Sequence, residues 1–323
     1  MKLAAFGISA LIAVGGAVYY LYAPHPLEKV PTEFTLEQGS LRHTARKLEA
    51  AGLIGNAEAF EALARLLGKA SSIKAGNYEF DRPLAPLALI DRITRGDYAQ
   101  SEITFPEGWT FAEMRKALDA SPELRHDSEG LADAEIMNRI GAPQASPEGR
   151  FFPDTYFFAK GQSDISVLKR AYVSMQGKFS KAWEGRAPGL PYADPYQALI
   201  LASLVEKETG RDADRPKIAA VFINRLKIGM KLQTDPSVIY GLGERFDGNL
   251  RKRDLLADQP YNTYTRSGLP PTPIAMPGIR SMDAALHPAD TKALYFVARG
   301  DGSSFFSNSL AEHNRAVNRY QKK

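Results

Sequence analysis

The longest apolar run in the chain opens it. LAAFGISALIAVGGAVYYLYA, from Leu3 to Ala23, is 21 residues long and carries no charged side chain. As a helix rising about 1.5 Å per residue it reaches roughly 30 Å, the thickness of the hydrocarbon layer of a membrane. A cleavable signal has a shorter apolar core, and this run continues into three tyrosines suited to the membrane interface. The pattern predicts an uncleaved anchor in residues 1–23.

The residues that flank this run predict its orientation. Lys2 and the amino terminus precede it, so the positive-inside rule places everything beyond residue 24 outside the cytoplasm. Three prolines in APHPLEKVP indicate a stiff linker over residues 24–31. We therefore expect a single-pass protein of the cell inner membrane, with a cytoplasmic N-terminus and a periplasmic bulk.

Hydrophobic spacing in residues 32–80 predicts strand, helix, helix, strand. EFTLEQ has a strand pattern, two helical patterns follow (the second is AEAFEALARLL), and IKAGNYEF returns as a strand. PLALIDRI then predicts a helix that stops at Gly96. This order resembles the LysM-type glycan-binding module, so a LysM-like βααβ subdomain is expected over residues 32–100.

The rest of the chain, residues 101–323, is expected to form one mixed domain. Residues 120–150 show little periodicity. RFFPDTYFFAKG holds five aromatic residues, which is more typical of a core than of a sugar platform. DISVLKRAYVSMQGKFSKAW then predicts a helix that ends near Gly185. The fold class expected is α+β.

The stretch LASLVEKETG contains two glutamates that a helical wheel separates. Asp194 is placed to cap this helix, and Pro195 fits its first position. With Ile200 at zero, the apolar stripe centres near about 70°, Glu208 lies near about 80° and Glu206 near about 240°. Glu208 therefore continues the buried stripe, whereas Glu206 is expected to face polar surroundings or a salt bridge.

Burial and the negative end of the helix dipole would both raise the pKa of Glu208. A glutamate that stays protonated near neutral pH is what a general acid requires. The alternative is that Glu208 only pairs with a nearby arginine, Arg211 or Arg215.

Two later segments add polar groups. The pattern of DRPKIAAVFINRLKIGM predicts a second helix, which carries Asn224. The pattern of KLQTDPSVIYGLGER predicts a further helix that starts at Asp235-Pro236. YNTYTRSGLPPTPIAMPG has too few aliphatic residues for a core segment, and its hydroxyls and amides suit hydrogen bonds to sugars.

Composition excludes several other functions. The 41 basic and 37 acidic side chains give a formal charge of +4 without a basic run, so nucleic acid is not an expected partner. There is no cysteine, hence no thiolate metal site or thiol nucleophile. The five histidines are scattered, and neither a GxSxG elbow nor a P-loop is present. We expect no metal and no cofactor.

The motifs FFPDTYFF, LASLVEKETG, VFINRLKIGMKLQTDPSVIYGLGER, YNTYTRSGLPPTPIAMPG and ALHPA resemble those of the endolytic murein transglycosylases of the MltG (YceG-like) type. The likeness runs in order from about Phe34 to the C-terminus. It implies a LysM-like subdomain followed by a YceG-like catalytic domain in residues 101–323. It also implies that the second glutamate of E-K-E, Glu208, is catalytic, in agreement with the wheel.

The resemblance implies cleavage of the β-1,4 bond between N-acetylmuramic acid and N-acetylglucosamine inside nascent peptidoglycan strands, which leaves 1,6-anhydro ends. Glu208 would act first as the acid and then as the base. The expected partners are glycan strands, the membrane through residues 3–23, and the synthases that build the strands. The expected substrate contacts are Asn224, Gln233, Thr234, Asp235, Tyr240, Asn262, Tyr264 and Ser267.

Three alternatives stay open at this stage. Asn224 either orients Glu208 or only caps a turn. Asp235 is either the N-cap of its helix or the second carboxylate of a glycoside hydrolase. The whole chain could also be a membrane-tethered glycan-binding scaffold of the cell-wall synthesis machinery.

Overall fold

The structure is a computed structural model that describes residues 15–16, 18–36, 39–96 and 100–321. The predicted anchor, Leu3 to Ala23, lies mostly outside the described residues. Among the residues that are described, no helix combines the length and the apolar character needed to cross a bilayer.

The chain divides into two compact units, which we call the first and the second unit. The first comprises residues up to Ser101 together with Phe157–Gln162. The second comprises Glu102–Tyr156 and everything from Ser163 onward. The segment Phe157–Gln162 thus belongs to the first unit, although the sequence motifs place it in the catalytic domain.

The first unit contains the predicted order of elements: β1 (Thr32–Leu36), α1 (Leu41–Ala50), α2 (Ala57–Leu66), β2 (Gly76–Phe80) and α3 (Pro86–Arg95). β1 and β2 pair antiparallel, with Thr32 opposite Phe80 and Leu36 opposite Gly76. Helix α3 ends at Gly96 in a left-handed conformation, as its sequence predicts. A small core lies between the helices and the two strands, built on Leu48, Phe60, Tyr78, Phe80 and Ile90.

The later elements form a mixed α/β arrangement. The strands are β3 (Gln100–Thr104), β4 (Leu124–Arg125), β5 (Thr155–Ala159), β6 (Gln162–Ser163), β7 (Tyr295–Ala298) and β8 (Ser304–Ser307). The helices are α4 (Phe111–Asp119), α5 (Asp133–Ile140), α6 (Asp164–Glu184), α7 (Pro195–Glu208), α8 (Arg215–Lys227), α9 (Asp235–Leu242), α10 (Lys252–Leu256), α11 (Ile279–Leu286) and α12 (Leu310–Tyr320). β7 and β8 pair antiparallel.

Helix α7 is the centre of the second unit. The side chain of Asp194 accepts a hydrogen bond from the backbone N–H of Gln197 at 3.0 Å, which confirms the predicted cap. All eight residues from Ala198 to Val205 are buried, and α8, α9 and α11 pack around them. A helix that is apolar on every side is a core helix, so the single buried stripe assumed for the wheel is too narrow.

Two expectations about irregular segments are wrong. Residues 120–150 contain α5, whose Ile136, Met137 and Ile140 are buried at helical spacing in too short a stretch to stand out. YNTYTRSGLPPTPIAMPG does contribute to the core, because Ile274, Ala275 and Met276 are at most 2% exposed. Its polar side chains satisfy the loop's own backbone, which lets a polar segment be buried.

Candidate active site

Glu208 is the last residue of α7 and is only partly buried. Its Oε1 accepts a hydrogen bond from the hydroxyl of Thr234, the residue before α9. Desolvation of the carboxyl group raises the pKa of Glu208 to about 7, while the Thr234 bond acts in the opposite direction. The protonated and the ionised form of Glu208 are therefore both accessible near neutral pH.

A small network of hydroxyl groups fixes Thr234. Its side chain is 2% exposed, and its backbone N–H donates to the hydroxyl of Thr263 at 3.0 Å. The Ser237 hydroxyl donates to the carbonyl of Thr234 at 2.9 Å and lies 3.0 Å from the Thr263 hydroxyl. Thr234 is therefore a buried positioning residue for Glu208, not the direct substrate contact that its sequence context suggests.

Replacing Thr234 by valine should shift the pH profile of cleavage. Valine keeps the shape but removes a donor that favours the ionised carboxylate, so the pKa of Glu208 should rise. The sequence predicts that Glu208 is a general acid, which works in its protonated form, so the decline in rate on the alkaline side should move upward by on the order of one pH unit. Rate against pH for Thr234→Val and the hydroxyl-bearing Thr234→Ser tests this; an unmoved alkaline limb in the valine variant would contradict it.

Glu206 has a different environment from Glu208. Its side chain is 6% exposed, and its Oε1 lies 3.3 Å from Nη2 of Arg215, itself 7% exposed. The backbone N–H of Gly278 donates to Oε2 of Glu206 at 2.9 Å. The salt bridge expected for Glu206 is thus present, but buried, and Arg215 is not the partner of Glu208.

Lys207, between the two glutamates, also forms a hydrogen bond to a distant part of the chain. Its ammonium group donates to the carbonyl of Gly108 at 3.0 Å. The consecutive residues Glu206, Lys207 and Glu208 are therefore bound to partners 72, 99 and 26 residues away along the chain.

Three further groups define the charge around Glu208. The negative charge of Asp235 raises the pKa of Glu208, and Arg225 lowers it. Asp235 is the first residue of α9 rather than its cap, and its Oδ1 accepts a hydrogen bond from the Tyr264 hydroxyl at 2.5 Å. Arg225 is 7% exposed and donates to the carbonyls of Leu294 and Leu232 at 2.7 and 2.6 Å. Tyr264 and Asp235 thus lie beside the glutamate, and their contact with substrate stays a prediction.

A cavity of about 950 Å³ adjoins this region. Lys207 and Pro236, the chain neighbours of Glu208 and Asp235, contribute to its wall, as does Tyr240. The ring of Tyr240 packs edge-on against Tyr261 with centroids 4.8 Å apart. A cavity with aromatic walls and a few polar groups suits a small ligand or part of a larger one.

The residues that line this cavity include another buried glutamate, Glu148. Glu148 is 6% exposed, and it accepts hydrogen bonds from the Tyr240 hydroxyl at 3.0 Å and from the backbone N–H of Phe111, the first residue of α4, at 3.1 Å. Burial raises the pKa of Glu148 to about 7.

The other residues predicted to bind substrate divide into two pairs. Gln233 and Ser267 are exposed, and Gln233 has a left-handed backbone (φ 50°) that is uncommon outside glycine. Asn224 donates its amide hydrogens to the carbonyls of Thr291 and Ala293 at 2.8 and 3.0 Å, which favours the turn-holding alternative. Asn262 is fully buried.

The prediction of a glycan contact is wrong for Asn262. Its amide hydrogens are directed at the carbonyls of Asp254, Leu255 and Ala257, and its Oδ1 accepts from the N–H of Tyr264 at 2.9 Å. Sequence spacing shows that an amide is present but not that the backbone of its own loop uses it. Asn262 instead holds the loop that carries Tyr264.

Within the described part of the chain, no three or more histidine, aspartate or glutamate side chains gather in a way that could hold a metal ion.

Comparison with known proteins places this arrangement in a family. The YceG-like family matches residues 34–319, most of the chain. The chain belongs to the YceG-like family.

Relatives of this YceG-like chain are named endolytic murein transglycosylases. The one from Bacillus subtilis is 32% identical over 335 residues, which cover 96% of this chain and 91% of the relative. One from Streptococcus pneumoniae is 25% identical and covers 95% of this chain, which spans 63% of that longer relative. A crystal structure of a YceG-like protein from Listeria monocytogenes has a TM-score of 0.56 and 28% identity, covering 88% of this chain and 98% of that one.

Sequence reasoning missed two residues of this YceG-like site, Arg225 and Thr263, and the buried Glu148 in the wall of the adjoining cavity. Arg225 falls on the apolar face predicted for α8, seven residues after Ile218 and four after Val221, where a charge needs a reason to be buried. Thr263 is one of several threonines in a polar loop, and nothing local distinguishes it. Glu148 lies in an irregular segment, where periodicity gives no sign of burial.

Glu148 should make the protein less stable as pH rises through neutrality. Its pKa is raised from an ordinary 4.5 to about 7, so between these values the folded state binds more protons than the unfolded chain. The free energy of unfolding therefore falls from pH 4.5 to 7. Glu148→Gln, which resembles the protonated form, should make that decline shallower without abolishing it, because Glu208 contributes in the same direction.

Unfolding midpoints measured across this pH window for Glu148→Gln and the natural chain provide the comparison. Parallel curves for the two proteins would show that Glu148 ionises as easily in the folded state as in the unfolded chain.

Proposed function

We propose that this protein is a peptidoglycan lytic transglycosylase that cuts glycan strands internally, with Glu208 as its single acid and base. The observation that carries the proposal is the carboxyl group of Glu208, which ends a rigid core helix, is held by Thr234 and has a pKa of about 7. Family membership and the names of the relatives support the substrate class.

In the proposed reaction, Glu208 serves two steps in turn. Protonated Glu208 donates its proton to the oxygen of the β-1,4 bond between N-acetylmuramic acid and N-acetylglucosamine, and the bond from that oxygen to C1 breaks. The resulting carboxylate accepts the proton of the C6 hydroxyl of the same muramoyl ring while O6 bonds to C1. The products are a 1,6-anhydro end and a free hydroxyl on the leaving sugar, and Glu208 is protonated again.

A pKa near neutrality suits both steps. A much lower pKa would leave no proton to donate, and a much higher one would leave a carboxylate that is rarely available as a base. Desolvation of the carboxyl group and the opposing hydrogen bond from Thr234 together set this intermediate value.

The glycan strand is proposed to lie across the end of α7. Asp235 and Tyr264 lie beside Glu208, and the exposed Gln233 precedes Thr234, so these three can contact a sugar ring there. The exposed Ser267, three residues after Tyr264, is proposed as a further contact along the strand. Tyr240 lies in the wall of the neighbouring cavity, where its ring can pack against a sugar or a stem peptide.

Asp235 supports one alternative reaction. Its charge acts on Glu208, so a second carboxylate is close to the candidate acid. In a two-carboxylate glycoside hydrolase, Asp235 would activate water or attack C1 itself, and the products would have reducing ends. The Tyr264 hydroxyl that binds Asp235 Oδ1 would then have to orient this base.

The cellular setting is part of the proposal. Residues 3–23 are an anchor in the cell inner membrane, and the second unit acts in the periplasm on nascent strands, where cleavage ends strand elongation. The first unit is a LysM-like glycan-binding module. The synthases that extend the strands are the proposed protein partners.

Mass spectrometry of the cleavage products tests the reaction. The full chain is incubated with purified glycan strands, and the new termini are identified. Fragments ending in 1,6-anhydro-muramic acid are expected. Reducing ends would replace the lytic reaction by hydrolysis with Asp235 as the second carboxylate, and no fragments from a folded, glycan-binding protein would leave a scaffold.

A further inference from the structure

The start of the first unit is attached to its core at three points. The Tyr20 hydroxyl donates to the carbonyl of Asn56, just before α2, at 3.1 Å. Tyr20 and Leu21 pack against the core of the unit, and the backbone N–H of His25 donates to the carbonyl of Leu84 at 3.1 Å. The chain that enters the unit is therefore held against its surface, not joined to it by a free tether.

An apolar pocket of about 510 Å³ lies beside this attachment. Lys69 and Asp91 supply the charges of its wall. The rest of the wall is mainly apolar and comes from Leu21, Tyr22, Leu67, Ala85, Leu87, Ala88 and Ile90. Leu67, which follows α2, is 42% exposed, and the preceding Leu66 is 85% exposed. Two neighbouring exposed leucines beside an apolar pocket indicate a surface that meets another apolar phase.

We propose that this face of the first unit, formed by Tyr22, Leu66, Leu67 and the start of α3, rests in the interfacial layer of the lipid bilayer. The inference goes beyond cleavage of glycan strands and rests on the anchor in the proposed function. It makes the first unit a membrane-contacting module rather than one that stands off on a linker.

The position of Tyr20 in the predicted membrane-spanning run indicates that lipid is what this face contacts. Tyr20 contacts the first unit, yet it lies inside the apolar run that ends at Ala23. Three helical residues span only about 4.5 Å, whereas the interfacial layer on each side of the hydrocarbon is roughly 5–7 Å deep. If the run spans the bilayer, Tyr20 lies near the membrane surface, and it brings the surface around Asn56 into the interfacial layer. Leu67 lies in the same pocket wall as Tyr22, so it is close to this layer too.

The side chains on this face match the chemistry of the interface. Tyr22 is 65% exposed, and tyrosine is enriched at membrane interfaces, where its ring can meet the acyl chains and its hydroxyl the headgroups. Lys69 adds a cation that anionic headgroups attract. Leu66 and Leu67 would exchange water for hydrocarbon at the same depth.

The absence of cysteine from the chain allows a direct test. A fluorophore attached to Leu67→Cys in the full chain reports on contact with vesicles that contain a lipid with a nitroxide just below its headgroup. Glu79→Cys, at an exposed position on β2 away from the pocket wall, is the matched control. Both labelled variants are first checked for retention of glycan cleavage.

The expected result is a large loss of emission at position 67 and little loss at position 79. An unquenched label at position 67, in a chain that sediments with the vesicles and resists alkaline extraction, would overturn the proposal and leave a protein partner as the occupant. Equal quenching at both positions would overturn the assignment to this face. A chain that does not sediment with vesicles would show that residues 3–23 are not a membrane anchor, and the proposal would fail with it. Cleavage of glycan strands in the same sample tests the enzymatic proposal separately.

Discussion

Replacing Glu208 by glutamine should reduce cleavage of glycan strands by at least about 100-fold while the protein stays folded. A positioned general acid typically contributes about 10²–10⁴ to a rate, and here one carboxyl group is proposed to serve two proton transfers. Glutamine has the shape of the protonated acid and can accept the hydrogen bond from Thr234, but it has no proton to give. Rates of anhydro-product formation by the two proteins, with circular dichroism as the check of folding, provide the measurement.

Glu148→Gln is the matched control for this variant. Glu148, like Glu208, is a glutamate of the second unit with a pKa raised to about 7 by desolvation, but it accepts hydrogen bonds from Tyr240 and Phe111 and does not lie at the end of α7. Most of the cleavage activity should survive its replacement. A Glu208→Gln protein that still forms anhydro ends at the natural rate would remove Glu208 from the reaction, and equal losses in both variants would point to a general loss of structure.

The second large effect expected is on stability. Arg215→Met removes the cation from a buried pair and leaves the Glu206 carboxylate with the neutral N–H of Gly278 as a hydrogen-bond donor. Breaking a buried ion pair from one side typically costs about 3–5 kcal/mol, because the remaining charge is neither hydrated nor paired. Arg215 also donates to Ser281 at 3.1 Å, so the loss should fall at the upper end of that range.

Arg266→Met supplies the comparison. Arg266 pairs with Asp258 at 2.8 Å, but both side chains are more than half exposed, so little stability should be lost. Denaturant unfolding of the second unit, followed by the fluorescence of Trp109 and Trp183, measures both variants. Equal small losses would mean that water reaches Glu206 more readily than its 6% exposure indicates.

Local chemistry predicted a large part of the fold. The Asp194 cap, the proline after it and the glycine stop of α3 act through backbone groups within a few residues, so their consequences are visible in the sequence. The same holds for the separation of Glu206 from Glu208, which depends only on helical geometry. From this separation the sequence predicted polar surroundings or a salt bridge for Glu206, but spacing alone could not identify Arg215 as the partner.

The substrate contacts were harder to predict because hydrogen bonding is decided by tertiary structure. Asn262 and Tyr264 lie two residues apart in one polar loop, yet one is fully buried and the other lies beside Asp235. Thr234 is similar: its hydroxyl bonds Glu208, while its backbone is bound by Thr263, which is 29 residues away, and by Ser237 in the first turn of α9. No periodicity records such long-range pairing.

The hydrogen bonds that hold Glu206, Lys207 and Glu208 limit how the length of α7 can change. Deleting one residue of α7 before Glu206 would turn the end of the helix by about 100° and draw it back by about 1.5 Å. Lys207 would then take the place of Glu206, and Glu208 the place of Lys207, so a cation would be directed at Arg215 and a carboxylate at the carbonyl of Gly108. Glu206 would take the place of the buried Val205. These side-chain positions therefore require α7 to keep its number of residues before Glu206.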